Sequence, residues 1–290
     1  MTLIDFLVGP FSEFAFMKRA LVGGLALSLS APPVGVFLML RRMSLVGDAM
    51  THAILPGAAL GYLAAGLSVG AMTLGGLLTG LAVALLSGLV ARVTTTKEDA
   101  SFAAFHLIAL ALGVALVSLR GSNIDLLHIL FGSVLALDNT ALTLLVGVAI
   151  ASMFGLALIF RPLVMESVDP DFVRSVARKG WLTHILFLSL IVLNLIAGFH
   201  ALGTLMAVGI MVLPAVTARF WSRDLTGMIA SSIIIAMLAI WSGLLVSYHL
   251  DLPSGPSIVL MAGLFYVTSI ACGWQGGLIW QFLRPRHLEA

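Results

Sequence analysis

The stretch Ile233-Ile234-Ile235-Ala236-Met237-Leu238-Ala239-Ile240-Trp241-Ser242-Gly243-Leu244-Leu245-Val246 carries no charge and is interrupted only by Ser242 and Gly243. The segment from Ala201 to Phe220 is almost as continuous. A membrane-spanning β-strand would alternate polar and apolar residues over about ten positions, so runs of this length and uniformity predict helices. Working outward, similar runs recur near 20–40, 50–66, 71–91, 102–119, 140–160, 183–200, 203–221, 227–249 and 257–276. A hydrocarbon core takes roughly twenty apolar residues to cross as helix, with every backbone group satisfied internally. The expected architecture is an all-α polytopic membrane protein with about 8–9 transmembrane helices. Several of the runs are short or broken by Gly and Pro, as partial helices around a cavity would be.

Composition points the same way. Of 290 residues, 60% are apolar and only 10% charged, with a mean hydropathy of +1.13. Soluble domains carry about a quarter charged residues. The deficit excludes a cytosolic enzyme, a disordered chain and an electrostatic binder of nucleic acid, and makes the lipid bilayer the solvent. The lone Cys272 permits neither an internal disulfide nor a thiolate metal cluster. The basic residues are unevenly spread. Assigning alternate loops puts Arg41, Arg42, Arg92, Lys97, Arg161, Arg174, Arg178, Lys179, Arg219, Arg223, Arg284 and Arg286 on one side, against Lys18, Arg19 and Arg120 on the other. The richer side is expected to be cytoplasmic.

This divides the chain into an interfacial or extracytoplasmic N-terminal segment over 1–19, a transmembrane domain over 20–276 with a long cytoplasmic loop at 161–181, and a cytoplasmic tail over 277–290. In the first segment Phe6, Phe11, Phe14 and Phe16 interleave with Asp5, Glu13 and Lys18, as in a helix lying along the interface. No Walker sequence, Ser/His/Asp set or Gly-rich nucleotide turn is present, so the chain is expected to be a transport subunit rather than an enzyme. Energy would come from a separate ATPase docked on a cytoplasmic loop or from ion coupling.

One polar pair stands out. Within Ser44-Leu45-Val46-Gly47-Asp48-Ala49-Met50-Thr51-His52, Asp48 and His52 are four residues apart and share a helix face. A carboxylate oxygen and an imidazole nitrogen suit zinc, manganese or iron, and placing both at membrane depth is costly without compensation. The competing reading has Asp48 capping the helix and His52 bonded to a nearby carbonyl. His200 and His249, near outer helix ends, are weaker candidates for a metal entry route. His106, His184 and the Asp125/His128 pair read more simply as structural. The loop from Arg161 to Gly180 holds the longest polar stretch. There Asp169 can cap a short helix starting at Pro170, with Phe172, Val173 and Val176 on one apolar face, and Arg174, Arg178 and Lys179 before Gly180.

Four ordered blocks carry a resemblance: Arg42-Met43-Ser44-Leu45-Val46-Gly47-Asp48-Ala49-Met50-Thr51-His52-Ala53-Ile54-Leu55-Pro56-Gly57; Asp125-Leu126-Leu127-His128-Ile129-Leu130-Phe131-Gly132-Ser133; Ala201-Leu202-Gly203-Thr204-Leu205-Met206-Ala207-Val208-Gly209-Ile210-Met211-Val212-Leu213-Pro214-Ala215; and Asp251-Leu252-Pro253-Ser254-Gly255-Pro256. With them the chain resembles the metal-type ABC importer permeases, which pass zinc, manganese or iron, over nearly its whole length. The resemblance implies the fold of cobalamin and siderophore importer permeases, and a bacterial-type inner (plasma) membrane location. It also implies two cytoplasmic ATP-binding subunits, an extracytoplasmic metal-binding protein and a second permease copy, with a homodimer expected. Asp48 and His52 then fall at the family's metal-contacting positions, with no permanently bound cofactor. Asp169, Pro170, Phe172, Arg174 and Gly180 fall in its coupling element, where Ser175-Val176-Ala177-Arg178-Lys179 replaces the family's frequent Ala-Leu-Gly. Zinc is the favoured cargo on the spread of histidines. An ion-coupled secondary metal carrier is the alternative, with the acid and imidazole as a proton relay.

Overall fold

The computed structural model describes residues 3–66, 68–95, 98–119, 137–169 and 180–283. The described helices, in order, are α1 (Leu3–Glu13), α2 (Ala15–Leu40), α3 (Ser44–Ala65), α4 (Val69–Val93), α5 (Glu98–Leu119), α6 (Asn139–Val168), α7 (Gly180–Leu202), α8 (Thr204–Ala218), α9 (Leu225–Leu250), α10 (Ser254–Cys272) and α11 (Leu278–Leu283). Each of the nine expected spans corresponds to one helix from α2 to α10. Six of these are long and apolar enough to cross a membrane, while α5 and α8 contain shorter apolar stretches, Ala100–Leu116 and Thr204–Ala218. The remaining one, α3, has 22 residues, enough for about 33 Å of rise.

The helix starts follow local chemistry. Ser68, Asp138 and Asp224 cap α4, α6 and α9, with side-chain oxygens accepting from the backbone N–H groups of Ala71, Ala141 and Gly227. Between α7 and α8 a single residue, Gly203, makes the corner at φ 90° and ψ 158°, a conformation open essentially to glycine alone. Across that corner the chain folds tightly enough that a Cβ on Gly198 would sit 2.6 Å from Cβ of Ala207.

The core runs around α2, which is buried along most of its length and packs on α6, α8 and α9. Phe37 on α2, Phe187 on α7, Met206, Ile210 and Met211 on α8, and Ile240 and Leu244 on α9 are wholly buried there. Pro32 and Pro33 sit side by side in the buried middle of α2. Between α6 and α7, Asn194 Nδ2 donates to Ser152 Oγ at 2.6 Å and to the Leu190 carbonyl at 2.8 Å, the kind of interhelical polar contact that orders helices in lipid. Outward, Leu74, Leu78, Leu89, Ile108, Phe154, Leu158, Leu260 and Val267 are exposed, which suits a surface wetted by acyl chains.

Two boundaries differ from the sequence expectation. Lys18 and Arg19 lie within the first two turns of α2, not in a separate leading segment, because that helix starts at Ala15. At the other boundary, the loop expected from 161 begins later: α6 runs on through Arg161 and Pro162 to Val168, its last turns held by the fully buried Leu163. The tail beyond 283 and residues 170–179 lie outside the described residues.

Candidate metal pathway on the third helix

The first residue of α3 is Ser44, preceded by Met43, which supplies no side-chain cap. Asp48 is therefore already in the second turn, too far along to satisfy the orphan N–H groups at the helix start. Its side chain is exposed, and its own carbonyl accepts a hydrogen bond from Thr51 Oγ1 at 2.7 Å. His52 follows one turn later, about 6 Å further along the axis. It is half-buried, and its Nδ1 is buried with no hydrogen-bond partner among the described residues. Asp48 therefore does not cap α3, and Nδ1 of His52 makes no hydrogen bond among the described residues.

A second imidazole stands beside the first. His106 on α5 places its ring centroid 6.0 Å from that of His52, with 30° between the planes. His106 Nδ1 is 3.2 Å from the Phe102 carbonyl oxygen. A carbonyl only accepts, so Nδ1 is the donor, and in a neutral imidazole Nε2 is then the nitrogen left to accept. Imidazoles that bind metals are commonly held this way, with the second nitrogen donating to a backbone carbonyl. Sequence reading set His106 aside because its partner is 54 positions away, and only the packing of α3 against α5 brings the two rings together. Among the described residues no three His, Cys, Asp or Glu converge on one point.

α3 is fixed by close crossings on either side of this pair. Gly57 and Gly75 face each other where α3 meets α4, each so near that a Cβ on one would collide with the carbonyl oxygen of the other. Gly61 repeats the contact one turn later, where a Cβ would lie 2.7 Å from the Ala71 carbonyl carbon. Such stripes of small residues let backbones approach when no hydrophobic force separates helix from lipid. On the other side, Gly47 leaves room for the Met211 methyl of α8, which a Cβ would meet at 2.9 Å.

The other expected site residues are placed differently. His249, at the end of α9, stacks on Phe6 with ring centroids 3.9 Å apart, and its Nε2 lies 3.2 Å from the Phe6 carbonyl. These contacts fasten α1 to α9. His200 lies in the last turn of α7, and its side chain is outside the described residues. Asp169 ends α6, its N–H bonded to the Met165 carbonyl, and Gly180 opens α7. Pro170, Phe172 and Arg174, like Asp125 and His128, lie outside the described residues.

The described residues form an all-helical scaffold with six helices long and apolar enough to cross a membrane, the class of a polytopic membrane protein, in which packing of α3 on α5 brings His52 beside His106. Known proteins narrow it. The model of the ABC 3 transport family matches residues 13–273. The chain is 32% identical to the manganese import system permease protein ScaB of Streptococcus parasanguinis, over 92% of this chain and 94% of that one. It is 28% identical to the manganese transport system membrane protein MntC of Halalkalibacterium halodurans, over 100% and 98%. Among solved structures it resembles PsaBC from Streptococcus pneumoniae in complex with Fab, with a TM-score of 0.84, 29% identity, and coverage of 97% of this chain and 100% of that one. The chain belongs to the ABC 3 transport family of metal-type ABC importer permeases. It is a multi-pass protein of the bacterial plasma membrane and a transport subunit, not an enzyme. Membership also decides for ATP-driven import over the ion-coupled carrier.

Proposed function

We propose that this permease imports manganese, and that Asp48 and His52 hold the ion in transit with His106 beside them. The observation that carries the reading is the unpartnered buried Nδ1 of His52, on a helix that carries an exposed carboxylate one turn earlier and with a second imidazole ring 6.0 Å away. A buried polar atom left without a partner is costly, and a passing cation compensates it. Oxygen and nitrogen donors suit manganese, zinc and iron alike. The choice of manganese is supported by what the relatives ScaB and MntC are named for. Zinc, expected on the spread of histidines, lacks that support.

In this reading a binding protein releases the ion at the outer mouth, α3 holds it with few ligands, and ATP-driven movement opens the inner side. Water or a second permease copy completes the coordination, which keeps binding weak enough for release. The segment between α6 and α7, with Asp169, Pro170, Phe172, Arg174 and Gly180, is the coupling element for the ATP-binding subunit.

The test is uptake of radioactive manganese, with zinc and iron as competitors, into vesicles holding the permease, its ATPase and its binding protein. Asp48→Ala and His52→Ala are expected to lose uptake by at least the roughly 10- to 100-fold that loss of a ligand's supporting partner costs at metal sites, while assembling normally. Normal uptake by Asp48→Ala removes the site assignment. Uptake of zinc in preference to manganese replaces the cargo.

A further inference from the structure

Arg41 ends α2, and its side chain is only 8% exposed. From there it reaches two other helices. One terminal nitrogen lies 2.6 Å from Oε2 of Glu166, in the last turn of α6, whose side chain is 20% exposed. The other lies 3.3 Å from Nδ1 of His184, in the second turn of α7. Because a guanidinium has donors only, that Nδ1 accepts. The guanidinium carbon also sits 4.9 Å above the ring of Phe187, one turn along α7. A single buried cation therefore joins the ends of three helices, and two of them, α6 and α7, bracket the segment from 169 to 179.

The third helix leads straight to the polar pair. Arg41, Arg42 and Met43 form a tight turn in which their N–H groups return to Phe37, Met39 and Leu38, and the Val46 N–H bonds to Met43. Arg42 takes a left-handed conformation with φ 60° to close it. Nothing slack separates Arg41 from the start of α3, and Asp48 lies about 6 Å up that helix from Ser44. A displacement of either end of the 169–179 segment is thus carried by Arg41 to the base of α3. The guanidinium is also not saturated, since its Nε is buried without a hydrogen-bond partner among the described residues. A purely static anchor in a packed interior would have its donors filled.

We infer that Arg41, with Glu166 and His184, is the positioning clasp that transmits movement of the coupling segment to the metal-holding face of α3. This rests on the reading of that segment as the ATPase contact. It assigns no role to these three residues in touching the metal.

The experiment uses the reconstituted complex of permease, ATPase and binding protein, and reads manganese transported per ATP hydrolysed. Glu166→Gln is expected to lower that ratio roughly tenfold, a typical coupling between sites, with hydrolysis continuing and with manganese binding to the complex unchanged. The exchange Arg41→Glu with Glu166→Arg is expected to recover much of the ratio. His184→Leu, which leaves the ion pair in place, serves if Glu166→Gln fails to assemble, and is expected to lower the ratio less. A ratio equal to that of the parent in the assembled variants, or transport and hydrolysis falling together in step with melting temperature, overturns the clasp. A separate control tells its failure from that of the reading beneath it. If Phe172→Cys cannot be cross-linked to the ATPase, the coupling-segment reading falls; a normal cross-link with an unchanged ratio refutes the clasp alone.

Discussion

Replacing Gly75 by alanine tests whether the α3–α4 crossing holds α3, the helix of Asp48 and His52, in place. A Cβ there would stand 2.8 Å from the Gly57 carbonyl carbon and nearer still to its oxygen, where ordinary contact begins at 3.4 Å. Backbone cannot swing aside as a side-chain tip can, so the two helices must part by more than the roughly 0.6 Å the carbon alone demands, and a gap of about 0.5–1 Å already forfeits a quarter to a half of the dispersion energy of each atom pair across it. The neighbouring contacts of Gly61 with Ala71 and of Gly76 with Ile54 open with it. The expected loss is about 1–3 kcal/mol, the usual range for overpacking. For a chain of this size that lowers the melting midpoint by about 2–10 °C. The assay is thermal unfolding of the purified permease in detergent, followed by tryptophan fluorescence, beside manganese uptake in vesicles. Gly147 and Gly263 provide the comparison, since a Cβ on either meets nothing within 4 Å. Alanine there is expected to be neutral or to stabilise by up to about 1 kcal/mol, through helix propensity. Should Gly75→Ala melt with the parent while Gly147→Ala falls, the reasoning from close approach is wrong.

Two further outcomes follow from local geometry. Asp224 caps α9 outside the spans, and the Ser222 hydroxyl at 2.8 Å, then the Gly227 N–H at 2.7 Å, hold its carboxyl below the usual 3.8. A carboxyl lowered on folding stabilises above its unfolded value and loses that contribution as pH falls through the folded one. Asp224→Ala is therefore expected to melt below the parent at neutral pH, with the deficit shrinking in acid, and Asp224→Asn to lose less. A deficit unchanged between about pH 7 and about pH 3 contradicts this. At the α7–α8 corner, Gly203→Ala forces a Cβ into a conformation with φ 90° and is expected to cost about 1–3 kcal/mol, read by the same melting assay. A melting point within about 1 °C of the parent removes strain as the reason for glycine there.

Much of this fold was legible because lipid makes hydropathy decisive. Each apolar run became a helix, since a span must satisfy its own backbone. The boundary after 160 was misread for a physical reason: Arg161-Pro162 looks like a stop, yet Leu163 is buried and Glu166 pairs with Arg41, so the helix continues. Asp48 and His52 were visible because they share a face four residues apart. His106 was not, because its meeting with His52 depends on how α5 leans on α3 rather than on spacing. Nor was the role of Arg41, which in sequence merely joins the count of cytoplasmic cations. Burial, which no composition reports, turned one of twelve loop charges into a junction of three helices.

The adjacent prolines of α2 leave a mark on how such a junction can act. Neither Pro32 nor Pro33 has an N–H to offer, so the carbonyls of Ser28 and Leu29 lack their normal rungs at the most enclosed level of the molecule. A ladder missing two neighbouring rungs yields there before it yields elsewhere. Any bending of α2 would therefore fall at Pro32 and Pro33, between its Ala15 end and its Arg41 end. The central post of this permease thus carries its weakest point at mid-length, away from both of its ends.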